Sequence, residues 1–353
     1  METLITQYSE TIRHAAETAT PLCVRGSGSK DFYGGEAVGA AFDVSGHKGI
    51  LTYEPSELVL TARGGTPLEE IEALLAQNGQ MLAFEPPHFG PGATLGGCVA
   101  TGLSGPRRAY SGAVRDFVLG VRMIDGRGDD LRFGGQVMKN VAGYDVSRLM
   151  AGSLGTLGVL LEVSLKVLPR PAEELTLRLE MDARHAIDTM NRWAGLPLPL
   201  SATAYHDGVL TLRLSGAESA VAAAHVKLGG ETVANGPAFW HGLREQTTAF
   251  FRPDAPLWRL SLPSATPPLE VSGRQLIEWG GALRWLSTDQ KPDAVRDTAS
   301  RAGGHATLFR ANNGARREVF QPLAPAVLAL HQRLKNAFDP HGIFNPGKLF
   351  TES

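Results

Sequence analysis

The sequence predicts an α+β protein in two parts, the second an antiparallel sheet with helices packed on one face. Three observations predict it. Leu157, Val159, Leu161, Val163, Leu165 and Val167 alternate strictly with other residues, the period of a half-buried strand. Leu175, Leu177, Leu179 and Met181 repeat that period beyond Pro169 and Pro171, which end the first run and mark a boundary. In the second half the order then reads strand, helix, hairpin, helix. At 353 residues the chain has material for two domains and a sizeable core.

Taken in order, Leu22-Cys23-Val24 reads as a strand entering the loop Arg25-Gly26-Ser27-Gly28-Ser29-Lys30, and Leu58–Ala62 as a second strand. Thr66-Pro67-Leu68-Glu69 has the form of a capping box, with proline at the first helical position. The helix it opens is expected to bury Leu68, Ile71, Leu74 and Leu75 and to stop at Gly79. Val118–Asp125, the turn Gly126-Arg127-Gly128 and Leu131-Arg132-Phe133 form a hairpin. In the second half Asp182 caps a helix, Asp207-Gly208 turns a hairpin, and an alanine-rich helix covers Ala217–Leu228. Further strands are expected at Leu257–Leu262 and Ala282–Leu286, and loops at Ala234-Asn235-Gly236-Pro237 and Pro263–Pro268. An amphipathic helix and the segment Asp339–Lys348 close the chain.

Composition narrows the function classes. Hydrophobic residues make up 43% and charged residues 20%, the balance of a soluble globular chain. A formal charge of −2 argues against nucleic acid as the partner, because polyanion binding leaves a basic footprint. Cys23 and Cys98 are the only cysteines, so neither a disulfide framework nor a cluster-binding thiolate set is available, and no metal site is expected. The start carries no basic-then-apolar leader, and no apolar run reaches membrane-spanning length. A cytoplasmic location is expected, with membrane contact only through partners.

Three segments concentrate small residues. Pro91-Gly92-Ala93-Thr94-Leu95-Gly96-Gly97-Cys98-Val99-Ala100-Thr101-Gly102 surrounds single hydroxyls with glycine and alanine, then runs through Ser104, Gly105 and Tyr110 to Phe117–Ile124. Glycines at that density let backbone approach a flat or phosphorylated ligand with no Cβ between them. N–H groups exposed in such a turn, or at a helix start, bind phosphate. The loop Arg25–Lys30 offers successive N–H groups, two serine hydroxyls and a cation. It is no P-loop, for Lys30 follows Ser29 and precedes Asp31, and Asp31-Phe32-Tyr33 replaces the third glycine of a dinucleotide fingerprint. Gly152-Ser153-Leu154-Gly155-Thr156-Leu157-Gly158-Val159 sets a small-residue turn before the long strand. Alone, the first segment reads equally as a glycine-rich surface loop, the loop Arg25–Lys30 reads better as a plain turn, and the third reads equally as ordinary helix–turn–strand packing.

In this order the three resemble the FAD-binding domain of vanillyl-alcohol-oxidase-type (PCMH-type) flavoproteins, which include D-lactate and glycolate dehydrogenases. Arg25–Ser29 matches the pyrophosphate loop, Thr94-Leu95-Gly96-Gly97 the stretch along pyrophosphate and isoalloxazine, and Gly152–Val159 the third segment. Asp339–Lys348 matches the family's closing Asp-Pro-x-Gly-Ile-x-Asn-Pro-Gly-Lys signature. Glu85-Pro86-Pro87-His88, Gly105-Pro106-Arg107-Arg108, residues 137–145, Trp279–Trp285 and Gly303–Thr307 are similar to the FAD-binding subunits of bacterial glycolate oxidase. The resemblance implies a PCMH-type FAD domain of two α+β subdomains over 1–170, an α+β cap over 171–312, and a segment 313–353 returning to the FAD domain. It implies FAD held by Arg25, Gly26, Ser27, Gly28, Ser29, Thr94, Leu95, Gly96, Gly97, Thr101, Ser104, Gly105, Tyr110, Gly152, Gly155, Gly158, Val159 and Asn345. It also implies a larger FAD-binding subunit and an iron–sulfur subunit as partners, in an assembly that oxidises glycolate to glyoxylate.

Departures from the pattern sharpen the expectation. Gly28-Ser29-Lys30 lacks the histidine that tethers flavin covalently in some relatives, so noncovalent FAD is expected; Cys98 fits a buried small hydrophobe better than a tether. No His-x-Gly-Asp-Gly-Asn-like motif is present, and its nearest analogue, Tyr205-His206-Asp207-Gly208, reads as a turn. Oxidising a 2-hydroxy acid needs a carboxylate clamp and a base. Arg107, Arg108, Arg259 and Arg284 are candidate clamps, and His305 and His88 candidate bases, with Arg284 and His305 the favoured pair. His305 reads equally as a strand-start histidine satisfied by backbone, and Tyr144 equally as a cofactor contact or a packed aromatic. Trp258 and Trp285 belong to the second core or its cleft face. Two other functions stay open: a self-sufficient 2-hydroxyacid dehydrogenase, and a scaffold subunit without catalysis.

Overall fold

The computed structural model describes residues 2–135, 145–252, 255–311 and 318–349, so Tyr144 and most of the 137–145 motif lie outside the described residues. An antiparallel sheet of five strands runs in the order Ile50–Glu54, Val59–Arg63, Val159–Lys166, Val118–Ile124, Asp130–Gly134. Its apolar positions meet the helix Leu68–Gln77, through Leu68, Ile71 and Leu75, and the short helix Leu95–Thr101, through Leu95, Cys98 and Val99. A second cluster joins Tyr8, Ile12 and Ala15 of the helix Glu2–Glu17 to Phe42, Val159, Leu161 and Phe344. The strand Leu22–Arg25 lies parallel to Ala40–Asp43, and Leu22 also bridges Phe344, which brings the tail back to this part of the chain.

Thr66 does not cap the helix that follows it. Its hydroxyl accepts the Gly49 N–H at 2.9 Å and donates to Gly49 O at 3.2 Å, and Pro67 opens the helix without a side-chain cap. A tertiary partner has outcompeted the local one. The expected hairpin forms between Val118–Ile124 and Asp130–Gly134, and Val159–Lys166 is the strand expected from alternation.

An eight-stranded antiparallel sheet occupies the second half. Its order is Glu231–Thr232, Glu173–Glu180, Val209–Gly216, Leu200–His206, Arg274–Glu278, Leu283–Ser287, Leu257–Ser261, His305–Arg310. Three helices, Ala183–Ala194, Glu218–Leu228 and Pro292–Arg301, bury Ile187, Met190, Val221, Val295 and Ala299 against one face. The other face carries Ala202, Ala204, Leu257, Leu283, Trp285 and Phe309, and packs on Tyr33, Leu103 and Leu154 of the first half.

That second face also holds a helix where a loop was expected. Gly236–Arg244 begins inside the Asn235-Gly236-Pro237 segment: Asn235 accepts the Ala238 N–H at 3.3 Å, and proline occupies the first turn, where a missing N–H costs nothing. Trp240 from this helix donates to Thr176 Oγ1 at 2.9 Å. Helices therefore lie on both faces rather than one. The closing helix, Pro325–Phe338, rests on the first core through Leu334 and Phe338, leaving Val327 and Leu330 exposed.

Candidate functional site

Three stretches far apart in sequence close on one cleft. The Leu22–Arg25 strand delivers the loop through Gly28. Thr94 caps the Leu95–Thr101 helix by accepting the Gly97 N–H at 3.2 Å, and the turn from Leu154 to Gly158 leads into the long strand. A Cβ on Gly26 would stand 2.5 Å from Thr94 Oγ1, so only glycine lets the first stretch lie against the second. Leu154 donates to Ala100 O at 2.8 Å, joining the third stretch to the second. Asn345, from the tail, accepts the Val24 N–H at 2.7 Å and donates to Leu154 O at 2.7 Å, joining the third to the first. The cleft has a cavity volume of about 110 Å³ and is half open.

Its walls suit a ligand that is anionic at the middle and flat at the ends. The N–H groups of Ser27 and Gly28 donate to no protein acceptor among the described residues. Arg25, Lys30 and Lys348 also line the cleft. Arg25 pairs with Asp31 at 2.6 Å, while Lys30 is buried, with its ammonium 3.2 Å from His88 O, and burial draws its pKa below the ordinary lysine value. The Leu95–Thr101 helix does not offer its first N–H groups to a phosphate. Leu95 and Gly96 donate to Thr66 O and Gly64 O, so this helix contributes a wall without bulk, from Gly96, Gly97, Ala100 and Thr101. A dinucleotide pyrophosphate fits the free donors of the first loop, and its flanking rings fit the glycine-walled sides.

Residues 4–134 match the FAD binding domain family, and residues 315–349 match the C-terminal domain of FAD linked oxidases. Glycolate oxidase subunit GlcE of Escherichia coli (strain K12) is 52% identical over 343 residues, 97% of this chain and 96% of that protein. The chain belongs to the GlcE family. It is an FAD-dependent oxidoreductase subunit, and FAD is its cofactor. Other relatives align with part of this GlcE-family chain. Glycolate oxidase subunit GlcD of Bacillus subtilis (strain 168) is 31% identical over 48% of this chain and 37% of its own length. A D-lactate dehydrogenase of Anaerostipes hadrus is 34% identical over 36% of this chain and 26% of its own. An alkyldihydroxyacetonephosphate synthase shares the PCMH-type fold at 15% identity, with a TM-score of 0.65 over 96% of this chain and 73% of its own.

The cleft gathers most of the residues the sequence nominated: Arg25, Gly26, Ser27, Gly28, Ser29, Thr94, Gly96, Gly97, Thr101, Gly155, Gly158 and Asn345. Leu95 and Val159 point into the core instead, and Gly152 sits behind the cleft, its N–H on Val99 O at 3.0 Å. Tyr110 packs beneath the eight-stranded sheet, and Ser104 and Gly105 line a different cavity. Sequence reasoning missed Lys30, Gly64 and Lys348. Lys30 and Lys348 stood inside quoted motifs, and Gly64 follows a strand as the first of a glycine pair; a Cβ there would strike Leu160 O.

The four arginines separate cleanly. Arg107 is buried in a network with Glu85, Glu174 and Arg213 that ties the two halves together, so it is a structural ion pair. Arg284 is fully buried and shares the helix-covered face with Leu286, donating to Gly281 O and Thr266 O at 2.7 Å each. It therefore faces away from the first half, and burial pulls its pKa down to about 10. Arg108 and Arg259 both stack on the Trp279 indole, at 4.4 and 5.2 Å from the ring centroid. His305 is exposed as a residue at its strand start, yet partial desolvation of its ring and the nearby Arg259 cation lower its pKa. Gly304 beside it fits the close approach of Ser261 O rather than of a ligand. His88 is buried against Glu72 at 3.2 Å. Trp258 fills the helix-covered core and Trp285 the opposite face, while Asp207-Gly208, both left-handed, turn the hairpin as expected.

A second, small cavity of about 30 Å³ lies between residues 87–106 and the sheet. Arg259, Glu278, Trp279, Trp285 and Gln246 are among its walls.

Proposed function

We propose that this chain is the FAD-binding subunit of a glycolate dehydrogenase complex that converts glycolate to glyoxylate. Its partners are a larger FAD-binding subunit and an iron–sulfur subunit that carries the electrons onward. The observation that carries this reading is the convergence of Gly26, Thr94 and Gly155 with Asn345 on one cleft, in a chain 52% identical to a glycolate oxidase subunit. Bound FAD supplies the two-electron acceptor. The Ser27 and Gly28 N–H groups and the Arg25 and Lys30 cations hold its diphosphate, and Gly96 and Gly97 let its flat rings lie close. Binding is noncovalent: Cys98 is 1% exposed, and burial pushes its thiol up to about 12, so it presents no thiolate.

Residues 1–170 with 313–353 hold the cofactor, and 171–312 form the cap. Arg284 and His305 lie on opposite faces of the cap sheet, so substrate oxidation falls chiefly to the larger subunit. The complex works in the cytoplasm, reaching a membrane through its partners; no helix among the described residues is long and apolar enough to cross one.

Co-purification from a native extract is expected to yield flavin and iron together. A Gly97→Val variant, whose Cβ starts 3.1 Å from Thr94 Oγ1, is expected to leave this subunit without flavin and to cut complex activity at least about tenfold. Unchanged activity with the flavin gone would make the subunit a scaffold.

A further inference from the structure

We infer that Glu245, from the second half of the chain, is a positioning residue for the cofactor: through a single peptide unit it holds the Lys30 ammonium in the cleft. Lys30 lines the cleft and is buried, yet no carboxylate lies within ion-pair distance of its ammonium among the described residues. Its polar contacts are Ser29 Oγ at 3.4 Å and His88 O at 3.2 Å. A buried cation with neutral partners alone is costly, so a negative group must act on it from further away.

The turn at residues 88–89 makes that connection. The peptide joining His88 to Phe89 offers its carbonyl to Lys30 and its N–H to Glu245 Oε2, at 2.8 Å. The two groups of a trans peptide point in opposite directions, so carboxylate, peptide and ammonium form one series with the dipole favourably oriented. Glu245 also accepts the His88 N–H at 3.1 Å and pairs with Arg244 at 2.7 Å, its side chain only 10% exposed. Phe89 takes a φ of +53°, strained for an aromatic residue, and the bond to Glu245 helps to hold it there. Glu245 follows the helix Gly236–Arg244, whose C-terminal dipole disfavours an acid. The helix therefore does not account for a carboxylate at this position, whereas the turn does.

The other charged and titratable groups around Lys30 have partners of their own or carry no charge. Cys98, from the helix Leu95–Thr101, is pushed up to about 12 and stays a neutral thiol. Arg25 and Asp31, from the same loop as Lys30, pair with each other at 2.6 Å. Lys348, from the tail, donates to Asp31 O at 3.0 Å. Arg310 lies over the Phe89 ring and donates to Gln246, while Glu72 meets the His88 ring at 3.2 Å. Glu245 is thus the carboxylate whose field reaches Lys30, opposing the burial that lowers its pKa. Without it Lys30 gives up its proton at a lower pH, and the diphosphate of FAD loses a cation. This role rests on FAD occupying the cleft as proposed above, and not on the substrate or the partners.

The test titrates the full, flavin-stripped chain with FAD between about pH 6 and about pH 10, read by flavin fluorescence. Affinity in the parent is expected to fall as pH rises through the lowered lysine range, since the diphosphate favours the charged form. In Glu245→Gln the midpoint of that fall is expected to move down by at least about half a unit. Lys30→Met is expected to bind FAD at least about tenfold more weakly at pH 7 and to lose the fall, and adding Glu245→Gln to it is expected to shift nothing. Glu70→Gln, which removes an exposed carboxylate, is expected to keep the parent's midpoint. Circular dichroism and urea unfolding establish that each variant is folded; should Glu245→Gln fail, Glu245→Asp, which withdraws the charge by one methylene, is judged by the same half-unit criterion. An unmoved midpoint in a folded Glu245 variant, or a shift that persists without Lys30, overturns this role and leaves the functional reading intact. A merely structural Glu245 would lower stability without moving the midpoint. A parent that takes up no FAD at any pH overturns the reading of the cleft, and this role with it.

Discussion

Glu278 shows how one residue can link stability to pH. Its carboxyl sits inside the eight-stranded sheet on the Trp285 indole, and burial raises its pKa from the ordinary 4.5 to about 8. The folded state thus keeps a proton that the unfolded chain gives up. Stability from this group is fully present below the ordinary carboxyl value and is lost as pH rises toward about 8. Glu278→Gln is expected to remove that loss, narrowing the drop in unfolding free energy between acidic and alkaline pH by roughly 3 kcal/mol. Urea unfolding at pH 5 and pH 9 measures it, and an equal drop in parent and variant counts against a protonated Glu278. Arg107 and Arg108 mark the limit of sequence reading at this scale. They are adjacent, with identical side chains, yet one is buried among Glu85, Glu174 and Arg213 and the other lies on Trp279. Glu85 lies 22 residues before Arg107 and Glu174 67 after it, while Trp279 comes from a turn of the second half, and no local pattern encodes that division.

Among elements, strands were the most legible. The alternation from Leu157 to Val167 became Val159–Lys166, because a period of two has one structural meaning when one side is buried. Helix starts were less legible, since a cap competes with tertiary partners. Thr66 had the right spacing and spends its hydroxyl on Gly49, whereas Asn235, in a segment that reads as loop, does cap a helix. Asn235→Ala is expected to cost about 1 kcal/mol, seen as a lowered urea midpoint with unchanged slope. No change would mean that packing of Trp240 alone fixes this helix. The cleft was legible where function needs glycine in the chain itself, at Gly26, Gly96 and Gly155. It was not legible where a residue enters by folding, as Gly64 and Lys348 do.

At the scale of the whole molecule, the two halves are locked by charge as well as by apolar packing. Glu85 and Arg107 come from the first half, Glu174 and Arg213 from the second, and Arg107 and Arg213 are both buried. Arg107→Met leaves two carboxylates short of a partner and is expected to destabilise the chain by about 3 kcal/mol. Arg148→Ala, which breaks an exposed pair with Asp145, is expected to cost less than about 0.5 kcal/mol. Chemical denaturation of both variants separates the cases, and similar losses would mean that the network carries little of the joint. The same joint positions the second cavity, whose walls come from both halves.

The cofactor cleft rests on three stretches of chain meeting around one molecule, and reconstitution tests this most directly. The purified chain, stripped of flavin and incubated with FAD, is expected to take up one FAD per chain and show the bound-flavin absorbance. Gly97→Val, folded by circular dichroism, is expected to take up none. A parent chain that stays colourless after reconstitution, or a variant that loads as well as the parent, would contradict the account.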